Sequence, residues 1–310
     1  MPFMILWLDY IIWVIFVLIN VAFITLLERK ILSLSQNRVG PNKVSLMGLL
    51  QPMSDAVKLF TKHVYMNYNM HTLPMMLAPS LFLMMAMSLW LVNKLGGNII
   101  SSNYTIMAII MIMSLSVYPT ILAGALTNSK YSYLGATRSV AQTISYEVIL
   151  ILFFMIIILY NKSLMVNPTD LIYLPSILLI QPLLVMMWIM ALMAESNRTP
   201  FDFAEGESEL VSGFNTEYAA SGFALIFMAE YMMIYYMSLL TTYLFLSNTM
   251  FVALLFSFMM IFLYIWIRAT YPRHRYDLLM QITWKSLVPV ITSILLLVIV
   301  LMSMFGSKVH

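Results

Sequence analysis

The sequence predicts an all-α polytopic membrane protein with about eight transmembrane helices and short amphipathic surface helices, read as one integral membrane domain over residues 1–310. Three observations carry that expectation. The chain is 62% hydrophobic and only 9% charged, against roughly 25% charged residues in soluble domains. Apolar runs of about 20 residues, long enough to cross a bilayer, lie near 5–27, 73–92, 104–126, 144–160, 173–193, 218–246, 249–267 and 285–305. Of the 16 Lys and Arg residues, all but Lys94, Lys162 and Lys308 fall in the loops after the odd-numbered runs. The positive-inside rule therefore places loops 1, 3, 5 and 7 on the cytoplasmic or matrix side and both termini opposite.

Composition also excludes several chemistries. With no cysteine there is no disulfide, thiolate-held iron–sulfur cluster or cysteine nucleophile on this chain. His63, His71, His274 and His310 all lie outside the apolar runs, so no intramembrane pair is available to grip a haem. No metal site is expected. The 30 methionines would suit an adaptable apolar lining, but an AT-rich genome or an organellar code accounts for them better. The first run is too long for a signal h-region and nothing before it reads as a transit peptide. It is taken as a retained span.

Loop 1 begins with Glu28-Arg29-Lys30 and continues to QNRVGPN at 36–42, in which Gly40-Pro41-Asn42 reads as a turn. Arg29 and Lys30 have the position of ordinary topology anchors at the end of a span. From Leu49 to Lys62, apolar Leu49, Met53, Val57 and Phe60 recur at helical spacing, while Ser54, Asp55, Lys58 and Lys62 take the other side. Two readings stay open there, an amphipathic helix in the membrane interface or a loop helix packed on the protein. Loop 3, from Ser129, passes directly into the fourth span. Arg138 is placed near the surface, and Glu147, nine residues on and about 13 Å along a helix, inside the hydrocarbon layer. Glu230 lies thirteen residues after Glu217, or roughly 20 Å deeper. Intramembrane acids are costly and point to function by default. The bland alternative for each is a protonated acid bonded between helices.

Loop 5 is the one strongly charged stretch. Six of the 13 acids, Glu195, Asp202, Glu205, Glu207, Glu209 and Glu217, fall in AESNRTPFDFAEGESELVSGFNTEY at 194–218, with Arg198 as the only formal counter-charge. So many carboxylates cannot all ionise if they are desolvated, and some should hold protons tightly. Thr199 as N-cap, Pro200 at the first helical position and Asp202 three residues after the cap predict a short helix to about Val211. A solvated acidic loop is the alternative, although Gly206, Gly213 and Ser212 to Asn215 would let the loop fold back toward the bilayer. Loop 7, with Arg268, Arg273, Arg275 and Asp277 around Pro272, reads as topology signal, as a clamp for an acidic partner, or as a partner for loop 5.

These stretches together resemble one family. ERK at 28–30, QNRVGPN at 36–42, LGATRSVAQTISYEV at 134–148, the 194–218 segment and YPRHRYDLLM at 271–280 are similar to subunit 1 of the respiratory NADH:ubiquinone oxidoreductase, complex I, in its mitochondrially encoded form. The resemblance spans the chain. It implies a core membrane subunit of the mitochondrial inner membrane that forms the ubiquinone access channel and begins an acidic relay from quinone reduction to proton translocation. Ubiquinone is the implied substrate, with FMN and the iron–sulfur clusters on other subunits. The implied partners are the matrix-arm quinone-site subunits, adjacent small membrane subunits and lipid, with no nucleic acid. By the same resemblance Arg29, Arg38, Arg138, Arg198 and Glu217 line the quinone path, and Glu147, Glu195, Asp202, Glu205, Glu207 and Glu230 form the relay; Met53 and Phe60 are expected beside the quinone tail because basic and apolar groups alternate in their segment at the membrane surface. Val39 departs from the basic residue often found there in the family, which removes one expected contact. A secondary transporter would also carry intramembrane acids, but no internal repeat or matched pair of interrupted helices is visible. A purely structural anchor leaves the two intramembrane acids unexplained.

Overall fold

Apolar runs become helices here because a bilayer offers backbone groups no water, so each N–H must find its carbonyl within the segment. The computed structural model describes residues 2–63, 72–92, 104–161, 164, 182–204, 206, 212–245 and 250–306. In order, the helices are α1 (Pro2–Ser35), α2 (Gln51–Thr61), α3 (Thr72–Val92), α4 (Thr105–Leu115), α5 (Val117–Leu126), α6 (Lys130–Asn161), α7 (Pro182–Glu195), α8 (Ala220–Phe245), α9 (Met250–Thr270), α10 (Tyr276–Gln281) and α11 (Val288–Gly306). No strand occurs among the described residues. Taking α4 with α5 and α10 with α11, seven of these are long and apolar enough to span a membrane. The fifth predicted span is represented by α7, which begins at Pro182; positions 173–181 lie outside the described residues.

Several boundaries move. The helix of α1 runs to Ser35, past the charges that had marked the start of loop 1. α6 starts at Lys130, well before the apolar run at 144, and the last span begins at Tyr276 rather than at 285. The third span breaks at Ser116, whose N–H is shared between the Ile112 and Met113 carbonyls, and Pro119 just beyond has no N–H for Leu115. Pro289 likewise leaves the Lys285 carbonyl without its donor, and the chain there widens into a π turn over Ile282–Leu287.

α8 is the central helix. In its most apolar window 72% of residues are buried, against 22% in α1 and α9 and 17% in the last span, whose outer faces are left for lipid or other subunits. Aromatic rings make much of the packing. Trp90 of α3 lies 4.9 Å from Tyr235 and 5.7 Å from Tyr236 of α8, and Trp188 of α7 meets Phe153, Phe154 and Phe245 edge to face.

The odd loops converge at one end of this bundle. Arg29 in α1 pairs with Asp55 in α2 at 2.6 Å, and Gln142 of α6 bonds the loop-5 backbone. His274 N–H in loop 7 donates to Pro200 O in loop 5 at 3.1 Å. A Cβ on Gly135 of α6 would come within 2.9 Å of the Gly213 backbone, so only glycine permits that approach of loop 5 to α6. Leu164 of loop 4 meets the first turn of α4, where its carbonyl accepts from Ile106 N–H at 3.1 Å.

The helix expected from Thr199 is absent from residues 199–204 and 206; Glu205 and 207–211 lie outside the described residues. Its carbonyls are engaged elsewhere, Phe201 O by Gln142 and Pro200 O by His274, while Phe201, Phe203 and Ala204 are buried. These tertiary bonds compete directly with the i to i+4 ladder that the cap signals favoured.

Candidate functional site

The site grows from the extension of α1. Ile24, Glu28, Ile31 and Leu32 recur at helical spacing, so one helix face carries a carboxylate among apolar side chains. Asn37, at φ 53°, ends α1 in a Schellman turn: Arg38 N–H donates to Ser33 O at 2.9 Å and Asn37 N–H to Leu34 O at 3.1 Å. The same motif ends α7 at Asn197, φ 49°, with Arg198 N–H on Met193 O at 3.2 Å. It fixes where the chain delivers Arg198. The last turn of α9 supplies Arg268, and α8 supplies Tyr231.

These three converge on Glu28, whose side chain is only 8% exposed. Arg268 Nη1 donates to Oε1, Arg198 Nη1 lies 3.5 Å from the same oxygen, and the Tyr231 hydroxyl donates to Oε2. The Arg198 guanidinium also sits 4.4 Å from the centre of the Tyr231 ring, a cation–π geometry. Burial works against the Arg198 charge, yet Tyr231, Glu28 and Glu230 more than offset it, and its pKa stands above the ordinary arginine value. The result is two acids and two arginines held together in a largely buried cluster.

This cluster walls a cavity of about 480 Å³ between α1, α2 and α8, within the range of small-molecule sites. Its apolar lining comes from Leu18 and Val21 of α1, Leu59 and Phe60 of α2, and Phe223 and Phe227 of α8. Its charges are graded by exposure. Arg29 and Asp55, with side chains 51% and 32% exposed, also line it, and Glu28 lies deepest in protein.

A second polar group lies where α6 meets the end of α7. Gln142 Nε2 donates to Ala194 O and Phe201 O, both at 2.8 Å. Glu195, the final residue of α7 at the start of loop 5, is 5% exposed, and its Oε2 has no hydrogen-bond partner. Burial first, then the nearby Glu147 charge, raises its pKa to about 8. This carboxyl can hold a proton near neutral pH.

With that geometry in view, comparison with known proteins is decisive. The family model described as NADH dehydrogenase matches residues 8–300. The chain belongs to the NADH-ubiquinone oxidoreductase chain 1 family. Its sequence is 47% identical over 284 residues to NADH-ubiquinone oxidoreductase chain 1 of Bradypus variegatus, covering 88% of this chain and 89% of the relative. The counterpart in Heterololigo bleekeri is 44% identical over 297 residues, 91% and 93% of the two chains, and that in Aedes aegypti 46% over 280 residues, 89% of each.

Of the expected site positions, Arg29, Arg198 and Phe60 line the large cavity. Met53 is 49% exposed and Arg38 exposed, and neither lines it. Arg138, Glu217, Asp202, Glu147 and Glu230 are half-buried, Glu147 beside Glu195 and Glu230 beside Arg198. Glu205 and Glu207 lie outside the described residues. Sequence reasoning missed Glu28, Tyr231 and Asp55 as site residues. For Glu28 the signal was present in its i+3 and i+4 partners Ile31 and Leu32; Tyr231, one tyrosine of 18, offered none.

Proposed function

We propose that this chain is the quinone-channel subunit of a proton-pumping NADH:ubiquinone oxidoreductase of the mitochondrial inner membrane, and that the cavity between α1, α2 and α8 admits ubiquinone. The observation that carries the reading is one cavity joining an apolar wall, suited to an isoprenoid tail, to the ionised cluster of Glu28, Arg198 and Arg268. The family relationship supports it, since relatives bear the name NADH-ubiquinone oxidoreductase chain 1. Flavin and iron–sulfur groups on partner subunits supply the electrons.

Ubiquinone becomes ubiquinol by taking up two electrons and two protons, so charge near the headgroup changes during turnover. Arginines favour the reduced, anionic side of that change. Buried carboxyls whose proton affinity depends on their neighbours respond to it by binding or releasing protons. Glu195, with Glu147 beside it and a proton affinity near neutrality, is suited to that response, and Glu230 acts electrostatically on Arg198 of the cavity wall. Matrix-arm subunits would meet the end of the bundle where loops 1, 3, 5 and 7 converge.

A photoreactive ubiquinone analogue applied to the assembled enzyme tests the reading. Labelling of peptides from 18–32, 52–60 and 223–231, removed by excess ubiquinone, is expected. Labelling confined to other subunits would overturn it.

A further inference from the structure

Behind the charge cluster lies a second cavity, of about 30 Å³, that shares Glu28, Arg198, Tyr231 and Arg268 with the large one. The cluster is thus a shared wall, with the large cavity on one side and a much smaller chamber on the other. The chamber's own walls are mostly isoleucine, but Ser196 and Tyr264 also face it.

The size admits one water, for which about 10–15 Å³ is the minimum, and a buried water also needs two to four polar partners. Those partners are present. Arg198 Nη2 and the Tyr264 hydroxyl are buried and neither has a hydrogen-bond partner in the protein. Ser196 Oγ gives its proton to Met193 O at 3.2 Å, which leaves its lone pairs to accept. A buried guanidinium nitrogen without a well-aligned acceptor is costly. A water oxygen can accept from Arg198 Nη2 and from Tyr264, while its protons go to Ser196 Oγ and the Glu28 carboxylate.

We infer that the chamber is a binding site for a single water, and that Tyr264 acts through it as a positioning residue for Arg198. One guanidinium nitrogen then faces Glu28 at the wall of the large cavity and the other is held from behind. The water site stands on the chamber alone; its effect on substrate rests on the large cavity being the quinone site.

Both parts can be tested in the assembled enzyme. A density map fine enough to show ordered waters should place one within hydrogen-bonding distance of Arg198 Nη2 and Tyr264 Oη; a map with no water there would overturn the inference. Tyr264→Phe should weaken that density and raise the KM for a short-tailed quinone roughly fivefold, the scale of one ordinary hydrogen bond between neutral groups, with kcat changed less than about twofold. An unchanged KM in a fully assembled Tyr264→Phe enzyme whose large cavity is still labelled by the photoreactive quinone would remove Tyr264 from the positioning role. Should that variant not assemble, Ser196→Ala, which removes another partner of the water, is read in the same way. If the large cavity does not take quinone, the water is still seen in the parent enzyme while KM responds to neither variant, which separates failure of the quinone reading from failure of the water site.

Discussion

Removing the Glu28 carboxylate is the perturbation with the largest expected consequence. In Glu28→Gln, Arg198 and Arg268 lose the anion that both approach. Arg198 is only 17% exposed, and breaking a buried pair by taking away one partner costs about 3–5 kcal/mol, because an uncompensated charge stays buried. Arg268 is 35% exposed, so solvent screens it and its own truncation to Met should cost about 1 kcal/mol or less. The expected order of destabilisation is Glu28→Gln, then Arg198→Met, then Arg268→Met. A double variant sharpens the reasoning: once Glu28 is neutral, Arg198→Met removes the stranded cation. The Glu28→Gln, Arg198→Met enzyme should therefore be less destabilised than the sum of the single changes by about 1 kcal/mol or more. The assay is the temperature of half-inactivation of NADH:ubiquinone reductase activity in the assembled enzyme, with assembled enzyme counted on native gels. Additivity of the two changes, or an Arg268→Met defect equal to that of Glu28→Gln, would refute the buried-pair account.

Gln142→Leu takes the donor from two buried carbonyls at once, at about 1–3 kcal/mol each; loop 5 should become cleavable by protease near Phe201, and unchanged resistance would contradict its tethering role. Glu195 has a folded-state pKa of about 8, above the ordinary 4.5, so its contribution is most favourable below pH 4.5 and is lost as pH rises toward 8. Glu195→Gln should accordingly make the enzyme more resistant to heat at pH 8.5 and change little at the acid end of its working range; equal inactivation temperatures for parent and variant at pH 8.5 would count against a buried, proton-holding acid. Glu147→Gln and Glu230→Gln preserve shape but cannot release a proton. Together they should assemble normally and pump fewer protons per NADH oxidised in sealed membranes, and full pumping would return both residues to ordinary interhelical bonding.

The spans were legible because an apolar run in lipid has one structural outcome. The approach of loop 7 to loop 5 was also among the readings of the sequence, carried by the arginines around Pro272, and its contacts include a His274 backbone bond, the His274 ring against Phe201 and Arg273 over the Phe203 ring at 5.8 Å. The end of α1 was misplaced because Glu28-Arg29-Lys30 reads as the start of water. In the fold Glu28 turns inward to two arginines from loop 5 and α9, while its neighbour Arg29 pairs with Asp55 in the more exposed part of the cavity. The predicted helix after Thr199 failed for the opposite reason: local cap chemistry was correct in type but weaker than bonds from Gln142 and His274, residues distant in sequence. Tyr231 could not be found at all, since a tyrosine in a span reads as part of an apolar face until the fold sets an arginine over its ring. Arg38 and Met53 are both exposed and do not line the large cavity, so their place beside a quinone stays an expectation.

The central claim is that a quinone occupies the cavity between α1, α2 and α8 with the Glu28 cluster in its wall. The structure of the assembled enzyme with a long-tailed ubiquinone bound tests it directly. Quinone density running past Phe223 and Phe227, with Arg198 and Arg268 still on Glu28, is the expected result. Quinone bound in the enzyme with no density between these helices would contradict the account.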